Sequence, residues 1–248
     1  RKEVLGPYHP YTLSSASSLG RDLREVGRYT DSVRLLEEAY ASHKDTLTKT
    51  FPGTLSCAKA LAVSLRRAGR FEEAERLAMD AMSTGQRLGV DNVEGVMGVQ
   101  MFTIRREQGR LREIASLVAH FVEERGAGAA WRPGLALVYH EIGESGKARE
   151  QFERMAGTDF GCVPKDALWQ TCLSYLTEVC DGLEDARRAE ILYDLLLPYA
   201  EQTLVVGSAI ACLGAASRLL GQLASVMGRW DESERHFQHA TEFNSRLK

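Results

Sequence analysis

The sequence has few of the features that would define a disulfide-stapled, membrane-spanning or disordered chain. Its 248 residues include 5 cysteines, an odd number without paired short spacings, which excludes a disulfide framework and a cysteine-based zinc site. No apolar run reaches the ~20 residues that a membrane-spanning helix needs. A hydrophobic content of 44% and a charged content of 26% exclude a long disordered region.

A strong charge of either sign is also missing. The formal net charge of -3 provides no bulk attraction for DNA or acidic lipid, so we expect no contact with nucleic acid or membrane. Unpaired cysteines suit a reducing cytoplasm, which is the expected location. Arginine outnumbers lysine 24 to 7, a bias common in proteins of high-GC genomes. Because the chain begins at Arg1, without an initiator methionine, we expect it to be part of a larger protein.

A recurring pattern is present instead. After Gly69, small residues follow at offsets of +5, +9 and +12, namely Ala74, Ala78 and Ala81. These offsets place three side chains on one face of a helix, and a fixed repeat of this size is typical of a stacked helical array. Similar turns with small or apolar residues at the same offsets begin at Gly27, Gly109, Gly143, Glu184 and Gly228.

The pattern predicts an all-α fold, a right-handed α-solenoid of about six helix-turn-helix repeats. In the first helix, Leu19 and Leu23 are expected to point inward. The third repeat is expected to begin at Asn92, and the last helix to end at Leu247. Three further segments carry expectations: 157–164 loops out between repeats, the fifth repeat begins with a helix over 165–181, and the sixth begins with one long helix over 205–227.

Residues 1–90 carry two copies of a more specific motif. The segments His9–Leu13 (His-Pro-Tyr-Thr-Leu) and Phe51–Leu55 (Phe-Pro-Gly-Thr-Leu) each precede a leucine ladder and a Gly-Arg-aromatic turn. This part resembles tetratricopeptide repeats of the kinesin-light-chain-like kind. The resemblance implies a helical scaffold for protein interactions, without catalysis or cofactor.

Residues 91–248 form about four further repeats, expected to be continuous with the first two. The run Leu192–Ala200 (Leu-Tyr-Asp-Leu-Leu-Leu-Pro-Tyr-Ala) is distinctive. This part resembles the repeat-rich tails of large bacterial signalling proteins that carry an ATPase module with a nucleotide cyclase or a LuxR-type DNA-binding domain. The segment has no phosphate-binding loop or cyclase centre, so no activity follows from the resemblance.

Other candidate chemistry is weak. Gly143 and Lys147 fall in a Gly-Lys turn without the strand and Ser/Thr of a phosphate-binding loop. His236 and His239 share one helix face, which can ligate a metal, but a solvated last helix is the favoured interpretation. We therefore predict no enzyme, no cofactor and no metal. An apolar pocket lined by Phe160, Trp169, Tyr175 or Tyr199 could serve a small-molecule sensor.

A basic stripe gives the candidate site. In tetratricopeptide arrays, positions 3, 6 and 10 before the turn glycine face the concave groove. Here these positions include a set of basic residues, and guanidinium groups bind carboxylates in a two-pronged geometry. We predict that an acidic protein or peptide segment binds at these residues: Arg21, Arg24, Lys59, Arg66 and Arg106.

The function predicted from the sequence is a non-catalytic protein-binding scaffold, the sensor or regulatory part of a larger bacterial signalling or transcription-regulating protein. Two alternatives stay open. One is a structural or self-assembling array, in which the chain forms oligomers. The other is a small-molecule sensor built on an apolar pocket.

Overall fold

The computed structural model describes residues 2–47, 51–89, 93–124, 128–206 and 210–246. The chain divides into two compact units, Arg1–Gln108 and Gly109–Lys248, which are treated separately below as unit 1 and unit 2. Both are built from helices joined by short turns, so the predicted all-α class of helix-turn-helix repeats is confirmed. The predicted helix limits at Asn92 and Leu247 lie outside the described residues.

Unit 1 consists of helical hairpins whose limits follow from proline and glycine. Pro10 and Pro52 occupy the first turn of their helices, where the missing N–H costs no hydrogen bond. Gly27 and Gly69, both with φ of 77°, end these helices in a left-handed conformation that favours glycine. The helices are α1 (Lys2–Leu5), α2 (Pro10–Glu25), α3 (Tyr29–Leu47), α4 (Pro52–Arg67), α5 (Phe71–Arg87) and α6 (Val93–Glu107).

Within unit 1, α2 packs on α3 and α4 packs on α5, while α3 contacts α4 and α5 contacts α6. The core between them centres on Leu36, Cys57 and Ala74, none of which is exposed to solvent. Small residues at the crossing points let neighbouring helices approach closely.

Unit 2 continues the same pairing. Here α8 packs on α9, α10 on α11 and α12 on α13, and α10 also contacts both α8 and α12. Glu184 adopts a left-handed φ of 53° at the position that glycine holds in the other turns. The helices are α7 (Ala115–Glu124), α8 (Gly128–Glu141), α9 (Ser145–Ala156), α10 (Trp169–Leu183), α11 (Ala186–Leu196), α12 (Ala216–Val226) and α13 (Trp230–Arg246), with 3-10 turns at Leu111–Glu113 and Leu197–Tyr199.

The predicted repeat register is confirmed at its most demanding position. The residues five positions after each turn are all buried, whether they are small or apolar. They are Ser32, Ala74, Ile114, Ala148, Ala189 and Ser233. The register is less complete at the later offsets, where Val118 and Phe121 are half-buried and Phe237 is 38% exposed.

The prediction of one long helix over 205–227 is wrong. Strands β1 (Thr203–Val206) and β2 (Ala211–Ala215) form an antiparallel pair there, and α12 begins only at Ala216. Leu204 and Val206 are buried while Val205 is 39% exposed, an alternation that belongs to a strand. β-Branched residues in β1 favour this conformation over a helix.

Three other expectations need correction. Leu19 is 52% exposed, because among the described residues no hairpin packs on α2 as α3 packs on α4, which carries the equivalent Leu61. The segment 157–164 does not simply loop out, since Phe160 is fully buried with its ring centroid 5.5 Å from that of Phe152. Helix α10 begins at Trp169 rather than at Lys165, after a turn in which Asp166 accepts a hydrogen bond from the Leu168 backbone N–H.

Candidate functional site

The five predicted binding residues all lie in unit 1, on three of its helices. Arg21 and Arg24 come from α2, Lys59 and Arg66 from α4, and Arg106 from α6. Arg21 is exposed and Lys59 and Arg106 are half-buried. Arg24 and Arg66, at 6% and 4% exposure, are buried. The expected outward orientation is therefore wrong for these two, because they lie where adjacent helices pack.

Arg24 links α2 to α4. Its Nε and Nη2 donate to Oε1 of Glu25 at 2.9 and 2.7 Å, and its Nη1 donates to the carbonyl of Ala60 at 3.5 Å. The guanidinium is thus held by a carboxylate on one side and by the α4 backbone on the other. A buried guanidinium with these contacts is fixed in place.

Arg66 makes the corresponding link between α4 and α6. Its Nη1 donates to Oε1 of Glu107, with which it forms an ion pair. Burial lowers the pKa of Arg66 and the carboxylate of Glu107 opposes that effect. Arg24 also contributes to the lowering, which shows that the two buried arginines influence each other electrostatically.

Lys59 lies near the arginines of α2. Its pKa is lowered from the usual value, first by burial and then by the positive charges of Arg21 and Arg24. Arg21 donates from Nη2 to the Ser18 hydroxyl at 3.1 Å. The structure therefore brings four of the predicted residues into one electrostatic neighbourhood. We call Arg21, Arg24, Lys59 and Arg66 the basic cluster.

Gln100 of α6 borders the basic cluster. Its Nε2 donates to the backbone carbonyl of Lys59 at 3.3 Å. Its Oε1 is buried and has no hydrogen-bond partner among the residues that the structure describes. Sequence reasoning missed this residue, because glutamine at that position has no charge or motif to mark it.

The neighbouring arginines of α6 are buried or half-buried rather than solvated. Arg105 is only 8% exposed, and its Nη1 donates to Oε2 of Glu75 at 2.8 Å and to Oε1 of Gln108 at 3.0 Å. Arg105 therefore ties α6 to α5. Arg106, the fifth predicted site residue, is half-buried in the last turn of α6 and is not counted in the basic cluster.

In unit 2 the equivalent groove positions carry both signs of charge. Gln222 of α12 donates to Asp181 of α10 at 3.4 Å, and Arg218 lies 3.8 Å from Glu178. Burial raises the pKa of Asp181, and the charge of Glu178 adds to that effect. The basic character of unit 1 therefore does not continue at these positions.

Most residues of the weaker candidate sites take part in helix packing. Tyr193 donates to Glu232 at 2.9 Å and lies 2.7 Å from Nε2 of His236, so this histidine is part of an interhelical network. Among the described residues, no group of three metal-ligating side chains occurs. Cys172 and Cys180 are buried, and burial raises their pKa values to about 12.

The aromatic residues of the expected apolar pocket also pack into unit 2. Phe160, Trp169 and Tyr175 are buried, and Tyr199 is half-buried. Their burial gives no support to a small-molecule pocket at these positions.

In the described part of the chain, no helix combines the length and apolar character needed to cross a membrane.

Comparison with known proteins identifies the repeats of unit 1. Residues 12–50 and 54–88 match the family model of the tetratricopeptide repeat, as their motifs predict. The chain is similar, at 18% identity, to a solved structure described as a Podosopora anserina putative kinesin light chain with nearly identical TPR-like repeats, covering 97% of this chain and 98% of that one with a TM-score of 0.40. A single-substitution variant of that protein gives the same identity and TM-score, over 96% of this chain and 97% of the variant. No curated protein matches.

Proposed function

We propose that this tetratricopeptide repeat protein binds an acidic segment of a partner protein at the basic cluster of unit 1. Repeats of this family are in general non-catalytic scaffolds for protein interaction. The observation that carries the proposal is the placement of Arg21, Arg24 and Lys59 on two neighbouring helices, close enough for the two arginines to lower the pKa of the lysine.

Each residue of the basic cluster has a distinct part in this proposal. Arg21, which is exposed, makes the bidentate contact with a carboxylate of the partner. Lys59 supplies a second, more compact cation beside it. Arg24 and Arg66 are held by Glu25 and Glu107 and contribute a positive background rather than direct contacts. A bound carboxylate would relieve the repulsion among these cations, which is why this part of a chain of net charge -3 favours an anion.

The proposal extends to the setting of the scaffold. The resemblance of residues 93–248 to the tails of bacterial regulators supports a role as the sensor or regulatory part of a larger cytoplasmic protein. In that setting, occupation of the basic cluster would report the presence of a partner. Catalysis would belong to other segments.

A pair of labelled peptides tests the binding site. The first is a decamer rich in Asp and Glu with a free C-terminal carboxylate, and the second has Asn and Gln in their place. We expect the full chain to bind the acidic peptide at least tenfold more tightly in fluorescence anisotropy, with a logarithm of affinity that falls linearly with the logarithm of salt concentration.

Arg21→Glu combined with Lys59→Glu should remove that preference. These residues are suitable because they are not fully buried, whereas reversing Arg24 or Arg66 would leave a carboxylate in the core. Arg76→Glu, at an exposed position of α5, is the matched control and should keep the preference. Equal binding of both peptides, or an affinity that the double variant leaves steady across the salt titration, would reject the basic cluster as the site.

A further inference from the structure

The last helix of unit 2 presents an open face with aromatic and acidic side chains. Trp230 is 69% exposed and Phe237 is 38% exposed, and both line a shallow groove along α13 together with Ser233 and Thr241. Glu234, Gln238 and Glu242 follow the edge of this groove. We call this set of residues the α13 face. It is separate from the basic cluster, which lies in unit 1.

The chain itself shows what covers such a face. Trp230, Ser233, Phe237 and Gln238 follow their turn glycine at offsets of +2, +5, +9 and +10. In the first hairpin the same offsets from Gly27 are occupied by Tyr29, Ser32, Leu36 and Glu37. All four of these α3 residues contact the next helical hairpin.

The contacts on α3 come from α4 and from the turn that follows it. Arg67 donates to the Tyr29 hydroxyl at 2.7 Å, with its guanidinium carbon 5.2 Å from the ring centroid. The hydroxyls of Ser64 and Ser32 are 2.8 Å apart, Cys57 donates to the Leu36 carbonyl, and Arg70 lies 3.0 Å from Glu37. An α-helix with small residues in its centre and arginines at its end therefore fits this arrangement of side chains.

The charge of the α13 face selects the chemistry of the helix that binds there. Glu234 and Glu242 attract basic side chains, and the exposed ring of Trp230 favours a cation over its face. In a second copy of this chain, α2 would place Glu25 at the position that corresponds to Arg67, and Asp22 at the position of Ser64. A carboxylate above Trp230, beside further carboxylates, disfavours such stacking of copies.

We propose that the α13 face binds an amphipathic α-helix of a partner protein, with a stripe of small and apolar residues and an arginine or lysine that stacks on Trp230. The helix packs as α4 packs on α3. Its central small residues contact Ser233 and Phe237, and its basic residues pair with Glu234 and Glu242. The partner thereby extends the helical packing of unit 2 by one helix.

The probe for this proposal is a labelled synthetic peptide with the sequence of residues 52–70, in which Cys57→Ser prevents oxidation. This segment covers the equivalent face in unit 1, so it carries the required stripe and arginines. Titration with the full chain, followed by fluorescence anisotropy, should give saturable binding. Trp230→Ala in the chain and Arg67→Glu in the peptide should each weaken binding at least tenfold.

The matched control is Leu117→Ala, which removes a hydrophobic side chain that is 67% exposed on α7 and should leave binding unchanged. Because Trp230 is exposed, Trp230→Ala should keep the thermal midpoint of the chain, which separates lost binding from lost folding. Absence of saturable binding, or binding that Trp230→Ala does not weaken, would overturn the proposal. A dimer of the chain alone that Trp230→Ala dissociates in sedimentation analysis would overturn it as well, since a second copy would then be the occupant.

Discussion

The hydroxyl of Ser32 donates a hydrogen bond of 2.6 Å to the backbone carbonyl of Gly20, across the first hairpin. The last hairpin repeats the relationship, since Ser233 donates to the carbonyl of Gly221 at 2.9 Å. In both, the serine lies five residues after the turn glycine and its acceptor seven residues before it. The other buried residues five positions after a turn are alanine or isoleucine, which make only apolar contacts there. The two serines instead form a buried hydrogen bond with the first helix of their hairpin.

Ser32→Ala should lower the free energy of unfolding by about 1–2 kcal/mol, because the buried Ser64 hydroxyl loses the partner that lies 2.8 Å away. The double variant Ser32→Ala/Ser64→Ala should lose less than the sum of the single changes. Ser233→Ala is the matched comparison, since its neighbour Ser225 is half-buried and can bond water. Urea unfolding measures Ser32→Ala, Ser64→Ala, their double variant and Ser233→Ala. Strict additivity of the Ser32→Ala and Ser64→Ala losses would contradict the expected coupling.

His236 should make the stability of the chain depend on pH. Burial lowers its pKa below the usual 6.5, an effect that outweighs the opposing charge of Glu232. Between the lowered value and 6.5 the unfolded chain binds more protons than the folded one, so stability rises with pH in this window and falls on acidification. His236→Gln should therefore reduce the loss of stability between pH 7.5 and 5.5.

Thermal unfolding of the wild type and His236→Gln at both pH values provides the measurement. His43→Gln is a useful comparison, because burial also lowers the pKa of His43, in unit 1. Each variant should remove part of the pH dependence. A loss of stability in His236→Gln equal to that of the wild type would contradict the lowered pKa of His236.

The sequence predicts the repeat register well because the constraint is local. A buried helix crossing needs a small or apolar residue, and Ala74, Ala148 and Ala189 indicate it directly. The burial of Arg24 could not be predicted, since an offset from the turn glycine defines a helix face but not how closely the next helix approaches it. The Tyr193–His236 contact joins residues 43 positions apart, and no spacing in the sequence encodes it. The strands at Thr203–Val206 and Ala211–Ala215 are not predicted, because their mostly apolar sequence also fits a buried helix.

The positive charge of Lys59 should lower the free energy of unfolding and strengthen the binding of the acidic peptide. Burial and the charges of Arg21 and Arg24 lower its pKa, so the protonated lysine destabilises the folded state at neutral pH. Lys59→Met should raise the free energy of unfolding at pH 7 and weaken the acidic peptide. The gain in free energy of unfolding of Lys59→Met over the wild type should shrink as pH rises through the lowered pKa towards 10.5, because the wild-type lysine then loses its charge in the folded state.

Urea unfolding at pH 7 and 9.5 checks this prediction, with Lys44→Met at an exposed position as control. A destabilised Lys59→Met would contradict it.

Gly20 packs against Leu36, and the absence of a side chain at Gly20 leaves room for the side chain of Leu36. A Cβ added at Gly20 would lie 2.5 Å from Cγ of Leu36, and Leu36 is fully buried, so its side chain has no room to move. In the second hairpin the same offsets carry Ala62 and Ala78, both buried, which shows that a larger residue in the first helix fits a smaller one in the second.

Gly20→Ala should therefore destabilise the chain by about 1–3 kcal/mol through overpacking, and Leu36→Ala by about 2–5 kcal/mol through a cavity. The double variant Gly20→Ala/Leu36→Ala recreates the alanine pair of the second hairpin, and it should be more stable than the sum of the two losses implies.

Gly146→Ala in α9 is the control for the substitution itself, because a Cβ there meets no atom within 4 Å. It should raise stability by about 0.5–1 kcal/mol, since alanine loses less backbone entropy than glycine in a helix. Opposite signs for the two glycine substitutions in urea unfolding are the expected result. A stabilising Gly20→Ala would mean that the first hairpin is packed more loosely than the Gly20–Leu36 contact requires.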